Sequence, residues 1–272
     1  MRVLVDGSTV EADDASVSVF DWAVQRGFGV FEVVRSYGGA PFHLGPHLDR
    51  LERSAAALAL TLPDRKDLDD WVRRVADAGG DCQVRVIVTG GGRDPLVDVP
   101  GRTIVAWEPL SPVPDLLRVL PMTAHWHPGE AAGPLYGIKW LSYAPNMASS
   151  DLARRQGFDD ALLSSRDGWV LEGPTFCVAW VADGRIETPE LGLGILASIT
   201  RSTLFETADA VGLDVVEGRW SLDRVLGAEE VLALSTTKEV APIGTVGDTE
   251  VSTGPVAGRL LAAFRDLVAA ES

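Results

Sequence analysis

An α+β chain in two parts is what this sequence predicts. A small α+β domain covers 1–110, a linker 111–116, and a larger, half-barrel-like domain 117–272. Three observations carry this. The first hundred residues mix alternating apolar runs with helical ones, "PLSPVPDLL" interrupts the pattern with three prolines, and many short strand-like runs with few helices follow.

In order along the chain, "FGVFEVVRSYGGAPFHL" predicts two strands joined at Gly38-Gly39. Leu48, Leu51, Ala55 and Leu58 recur at helical spacing, and a second helix is expected over 66–78. "QVRVIVTG" and "RTIVAWEPL" read as strands. Beyond the linker, "LRVLPM", "DALLSS", "WVLEG" and "CVAWVA" read as short strands, with turns at Asp167-Gly168 and Asp183-Gly184. Helices are expected over 144–156, 200–212 and 255–270.

Composition narrows the function classes. An apolar fraction of 46% supports a sizeable core, and a net charge of −15 argues against nucleic acid or an anionic membrane as partner. Any anion must then meet a local cluster of cations or amides. Cys82 and Cys177 stand alone, as expected of a reducing compartment. No apolar run reaches the ~18 residues of a membrane span. The N-terminus turns polar too early for a signal peptide, so a cytoplasmic protein is expected. His125 and His127 lack further metal-ligand neighbours in sequence, and no metal site is expected.

The chemistry starts at "GIKWLSYAPNM", where Lys139 sits among apolar residues. A packed stem with its head in water explains such a lysine. So does an amine that spends its charge as a Schiff base with a carbonyl compound. Glu172 in "WVLEGPTF" reads either as a solvated strand end or as a carboxylate that keeps a heterocyclic nitrogen protonated. Ser198-Ile199-Thr200 opens a helix, where free N–H groups favour an anion or simply require a cap. Ser235-Thr236-Thr237 offers hydroxyls at a strand end. Arg50 pairs with a neighbouring carboxylate on a solvated helix, or supplies a fork of donors to a phosphate.

Taken in order, "GVFEVVRSYGGAPFHLGPHLDRLERSA", "IKWLSYAPNMASSDLARRQGFDDALL", "DGWVLEGPT", "GILASITRSTL" and "STTKEVAPI" resemble the class IV aminotransferases, the fold-type IV pyridoxal-phosphate enzymes. The resemblance spans about residues 20–260. It implies pyridoxal 5'-phosphate as cofactor, Lys139 as its Schiff-base lysine and Glu172 as the pyridine-nitrogen partner. Arg50, Ile199, Thr200, Thr236 and Thr237 are implied around the phosphate, and Phe31 on the substrate side. It also implies two domains in a homodimer, with amino acids and keto acids as substrates.

Departures from the family pattern point to the branch. Arg26 stands where an aromatic residue is usual, and Phe28 where an aspartate is. "EVVRSYGG" is similar to the D-amino-acid branch, yet "TGGGRDP" lacks that branch's Arg-x-His loop. Phe176 and Cys177 replace small polar residues after Glu172-Gly173. Arg26, Arg85 and Lys238 are therefore the candidate cations for a substrate α-carboxylate. The expected activity is transamination between an amino acid, D-amino acids favoured, and a 2-keto acid. The alternatives are a 4-amino-4-deoxychorismate lyase, a branched-chain or (R)-amine transaminase and, from another class, a non-catalytic scaffold.

Overall fold

The computed structural model describes residues 2–94, 97–131, 133 and 135–271. Pro95 of the "TGGGRDP" stretch lies outside them. The chain divides into two compact units: 1–111 with 138–143 and 271–272, and 112–137 with 144–270.

The first unit holds strands β1 (Arg2–Val5), β2 (Ser8–Glu11), β3 (Gly29–Tyr37), β4 (Ala40–Pro41), β5 (Cys82–Thr89), β6 (Gly92–Asp94), β7 (Val97–Val99) and β8 (Thr103–Glu108). Its helices are α1 (Trp22–Arg26), α2 (Leu44–Ala57) and α3 (Arg65–Gly79). Six strands make one sheet in the order β2-β1-β8-β5-β3-β4, while β6 and β7 form a separate ribbon. The glycine hairpin forms as expected: Gly38 and Gly39 both take positive φ, and Tyr37 pairs with Ala40.

Alternation along the strands sorts the two faces of that sheet. Val30, Val34, Val84, Val86, Val88 and Val105 pack against Leu44, Leu48, Leu51 and Ala55 of α2 and Leu68, Val72 and Val75 of α3. Leu48 and Leu51 are fully buried, each contributing about 1.5–3 kcal/mol. Phe31, Val33, Arg35, Gln83, Arg85 and Ile87 alternate onto the opposite face.

The second unit holds β9 (Leu117–Thr123), β10 (Asp160–Ser164), β11 (Cys177–Ala182), β12 (Arg185–Pro189), β13 (Val215–Gly218), β14 (Glu230–Ser235), β15 (Glu239–Val246) and β16 (Thr249–Glu250). Its helices are α4 (Ala144–Arg155), α5 (Ile199–Ala210), α6 (Leu222–Leu226) and α7 (Pro255–Glu271). These strands form one half-barrel-like sheet, β10-β9-β15-β14-β11-β12-β13, with β16 on β15. Its core gathers Leu117, Val119, Leu162, Val178, Trp180, Val231 and Ile243. The fold is thus mixed α and β, as the sequence predicts.

One expected strand differs. "WVLEG" forms only isolated bridges at Trp169 and Val170. Leu171 N still donates to Leu163 O and Leu163 N to Glu172 O, both at 2.9 Å. The turn at Gly173-Pro174 then ends the pairing, since proline has no N–H to continue a ladder. Cys82 and Cys177 are buried thiols that are not joined in a disulfide. Among the described residues, no helix is long and apolar enough to cross a membrane.

Candidate active site

In the first unit, Lys139 is held by its backbone against the start of β3. Its carbonyl accepts Phe31 N–H at 2.9 Å, Leu141 N donates to Gly29 O at 2.8 Å, and Lys139 N donates to Ser54 Oγ at 3.1 Å. Glycine is required at 29, because a Cβ there would lie 2.5 Å from Val88 O and 2.6 Å from Leu141 Cδ1. The side chain is half-buried, with Nζ 4.5 Å from the Phe31 ring centroid and 5.9 Å from that of Tyr143. The two rings meet edge-to-face, 5.4 Å apart. The lysine of the apolar stretch therefore has an aromatic seat, which favours a cation over bare hydrocarbon.

Behind β3, on the helix side, lies a buried charged trio. Glu32, fully buried, accepts Arg50 Nε at 2.7 Å and Nη2 at 2.8 Å, and pairs with His47 Nδ1 at 2.9 Å. Burial alone would raise the Glu32 pKa. Arg50, by charge and hydrogen bonds, and His47 outweigh it and hold the carboxyl well below the usual carboxylate range. Burial pushes the His47 imidazole down, against the pull of Glu32. A carboxylate only accepts, so neutral His47 carries its proton on Nδ1. Arg50 is thus buried in a bidentate pair rather than on a solvated helix face. Glu32 and His47 were missed from sequence. The signal for Glu32 was its place between Val30 and Val34 on the core side of the alternation.

Arg85 occupies the other face. Its Nε and Nη2 donate to Glu108 Oε1 and Oε2, both at 3.0 Å, and its guanidinium carbon lies 5.8 Å from the Phe31 centroid. Arg26 is exposed at the end of α1, with its guanidinium 5.5 Å from the Trp22 ring centroid.

In the second unit, the remaining candidates converge on one end of the sheet. Cys177 pairs with Leu234, so the turn after Glu172 and the Ser235-Thr236-Thr237 stretch leave the strands side by side. The Glu172 carboxylate accepts Leu196 N–H at 3.3 and 3.4 Å, three residues before Ile199 opens α5. Ser198 caps that helix, accepting from Arg201 N at 3.3 Å, and Thr200 is buried in its first turn. Gly173 admits no side chain, since a Cβ would lie 2.0 Å from the Phe176 ring.

Lys238 donates to Thr175 Oγ1 at 3.2 Å and lies 5.6 Å from the Phe176 ring centroid. Thr175 Oγ1 in turn donates to Asp160 Oδ2 at 3.2 Å, and Ser150 Oγ to Asp160 Oδ1 at 2.6 Å. Burial lowers the Lys238 pKa, with Asp160 opposing. His127 Nδ1 accepts Gly129 N–H at 3.1 Å. Among the described residues, no group of three or more His, Cys, Asp or Glu could hold a metal.

The amino-transferase class IV family model matches residues 29–246, most of the chain. The chain belongs to the class IV aminotransferases.

Relatives of several activities lie at similar distance. The chain is 29% identical to a putative branched-chain-amino-acid aminotransferase of Methanocaldococcus jannaschii, covering 98% of this chain and 96% of that one. It is 28% identical to aminodeoxychorismate lyase of Bacillus subtilis (97% and 92%). It is 30% identical to D-alanine aminotransferase of Listeria monocytogenes (93% and 90%). Among solved structures, a hypothetical aminotransferase from Mycobacterium tuberculosis in a PLP-bound form superposes with TM-score 0.91 at 25% identity, over 100% of both chains. Class IV aminotransferases use pyridoxal 5'-phosphate, and membership makes this chain an enzyme of that class. The matched span contains Arg50, Lys139, Glu172, Ile199, Thr200 and Thr236, and begins after Arg26 and Phe28.

Proposed function

We propose that this class IV aminotransferase moves an amino group between an amino acid, D-amino acids favoured, and a 2-keto acid. The observation that carries the reading is the seat of Lys139 on Phe31, the ring that also carries the Arg85 guanidinium. An amine and a carboxylate receptor on one ring suit a substrate bearing both groups. The 30% identity to a D-alanine aminotransferase supports the D side.

The residues fit pyridoxal phosphate by the chemistry of their donors. Lys139 would supply the amine. Glu172, steadied by Leu196 N–H, would face the ring nitrogen. Arg50, Ile199, Thr200, Thr236 and Thr237 would hold the phosphate, with the α5 N-terminus contributing free N–H groups. When bound, the cofactor supplies a carbonyl that captures amines and a ring that accepts an electron pair. Lys139 Nζ takes the substrate α-proton and returns it. Phe31 and Tyr143 flank that nitrogen and limit the water around it. Arg85 orients the α-carboxylate, with Arg26 and Lys238 as further candidate cations.

A homodimer in the cytoplasm is part of this proposal. Val19, Phe20 and Val24 stand exposed on the segment that carries Arg26, as a subunit contact would have them. The deciding experiment follows the absorbance of the purified holoenzyme after D-alanine, then L-alanine, is added with 2-ketoglutarate. Faster bleaching and turnover with D-alanine is expected, and preference for L-alanine would overturn the D-amino-acid assignment. Conversion of aminodeoxychorismate without any keto-acid acceptor would favour the lyase activity carried by the Bacillus subtilis relative.

A further inference from the structure

Arg85 and Glu108 lie on adjacent strands, β5 and β8, on the sheet face away from α2 and α3. Glu108 takes the side edge of the guanidinium, Nε and Nη2, in two parallel hydrogen bonds of 3.0 Å. Gln83 Nε2 donates to the same Glu108 Oε2 at 2.8 Å and braces it. Arg85 keeps Glu108 ionised, its hydrogen bond outweighing burial. Nη1, at the outer edge of the fork, makes no hydrogen bond to any described residue. The same guanidinium lies 5.8 Å from the centroid of the Phe31 ring, which also seats Lys139 Nζ at 4.5 Å.

We infer that Glu108 is a specificity-determining residue: by keeping Arg85 already paired, it admits amines that lack a carboxylate alongside amino acids whose α-carboxylate docks on the Nη1 edge. The inference rests on the reading of Arg85 as the partner of the α-carboxylate. A site built to pair a substrate group rejects the analogue lacking that group, because its own polar group is then left alone. Arg85 is never left alone here. The negative charge of Glu108 also offsets that of Arg85, so a substrate carboxylate is drawn in less strongly than by a lone guanidinium. Both effects lower discrimination between amino acid and simple amine, and both depend on one side chain.

The test is Glu108→Gln in the holoenzyme, with D-alanine and (R)-1-phenylethylamine as donors to one keto acid. The ratio of kcat/KM for D-alanine to kcat/KM for the amine should rise by about fivefold or more. Benzoate, an unreactive carboxylate titrated through the cofactor absorbance, should bind about threefold tighter or better, a readout independent of turnover. Glu108→Ser serves the same two measurements if the glutamine variant folds poorly. An unchanged ratio, or a shift towards the amine, overturns the inference. If Arg85→Leu still impairs D-alanine selectively, the Arg85 reading survives that failure. Equal loss of both substrates in Arg85→Leu removes that reading as well.

Discussion

Lys139 Nζ lies 4.5 Å from the centroid of the Phe31 ring, while the Lys139 carbonyl accepts the Phe31 N–H at 2.9 Å. Backbone and side chain thus hold the same pair together. A cation on an aromatic face is worth about 0.5–2 kcal/mol. Phe31→Leu should lower kcat/KM by roughly twofold to thirtyfold, with the protein still folded. Steady-state kinetics and a melting curve check this.

Lys139→Ala should abolish turnover, and the holoenzyme's absorbance near ~410–420 nm should disappear, because both need the ε-amine. Visible spectra of the variant reconstituted with cofactor decide it. Turnover at the wild-type rate would remove Lys139 from the chemistry.

Arg50 is expected to serve two masters, and the variants separate them. Glu32→Gln leaves the Arg50 guanidinium buried without its carboxylate and should cost about 3–5 kcal/mol of stability. Arg50→Ala should also weaken cofactor binding. A Glu32→Leu, Arg50→Leu double variant should regain stability without regaining cofactor affinity. Urea titration and cofactor titration together read the two effects.

Glu172→Gln keeps the shape that accepts Leu196 N–H but holds a ring nitrogen protonated less well. A rate loss of about a hundredfold or more is expected, about 3 kcal/mol in the barrier. Near-native kcat would return Glu172 to a structural role.

Glu187 carries the acid sensitivity of the second unit. It is fully buried and takes hydrogen bonds from Arg224, Arg185 and Trp180 Nε1. Arg224 above all, against burial and with Arg185 and Trp180 helping, lowers its pKa to about 2. A depressed folded-state pKa stabilises above the unfolded value and is lost as pH falls through the folded one. The contribution, about 3 kcal/mol at neutral pH, should therefore fade between about pH 4.5 and 2. Melting temperatures of wild type and Glu187→Gln should differ at pH 7 and converge towards that acid limit.

The amino-acid order by itself determined the aminotransferase class and much of the local structure. Gly38-Gly39 dictated its hairpin because paired positive φ values favour glycine. The spacing of Leu48, Leu51 and Ala55 dictated α2 because a helix gathers such residues on one face. Other local signals were legible and passed over: Asp6-Gly7 turns β1 into β2 with both residues at positive φ. Partnership was the part that only tertiary structure decided. Arg50 finds Glu32 eighteen residues away, and Arg85 finds Glu108 twenty-three away. Nothing local in either stretch names the carboxylate. The same holds for Lys139: its neighbours in sequence explain an apolar setting, but Phe31 reaches it only because 138–143 packs with the first unit, against β3. Propensity and periodicity act over a few residues. A charge pair or a cation on a ring depends on which strands become neighbours, and that is settled by burying the whole sheet at once.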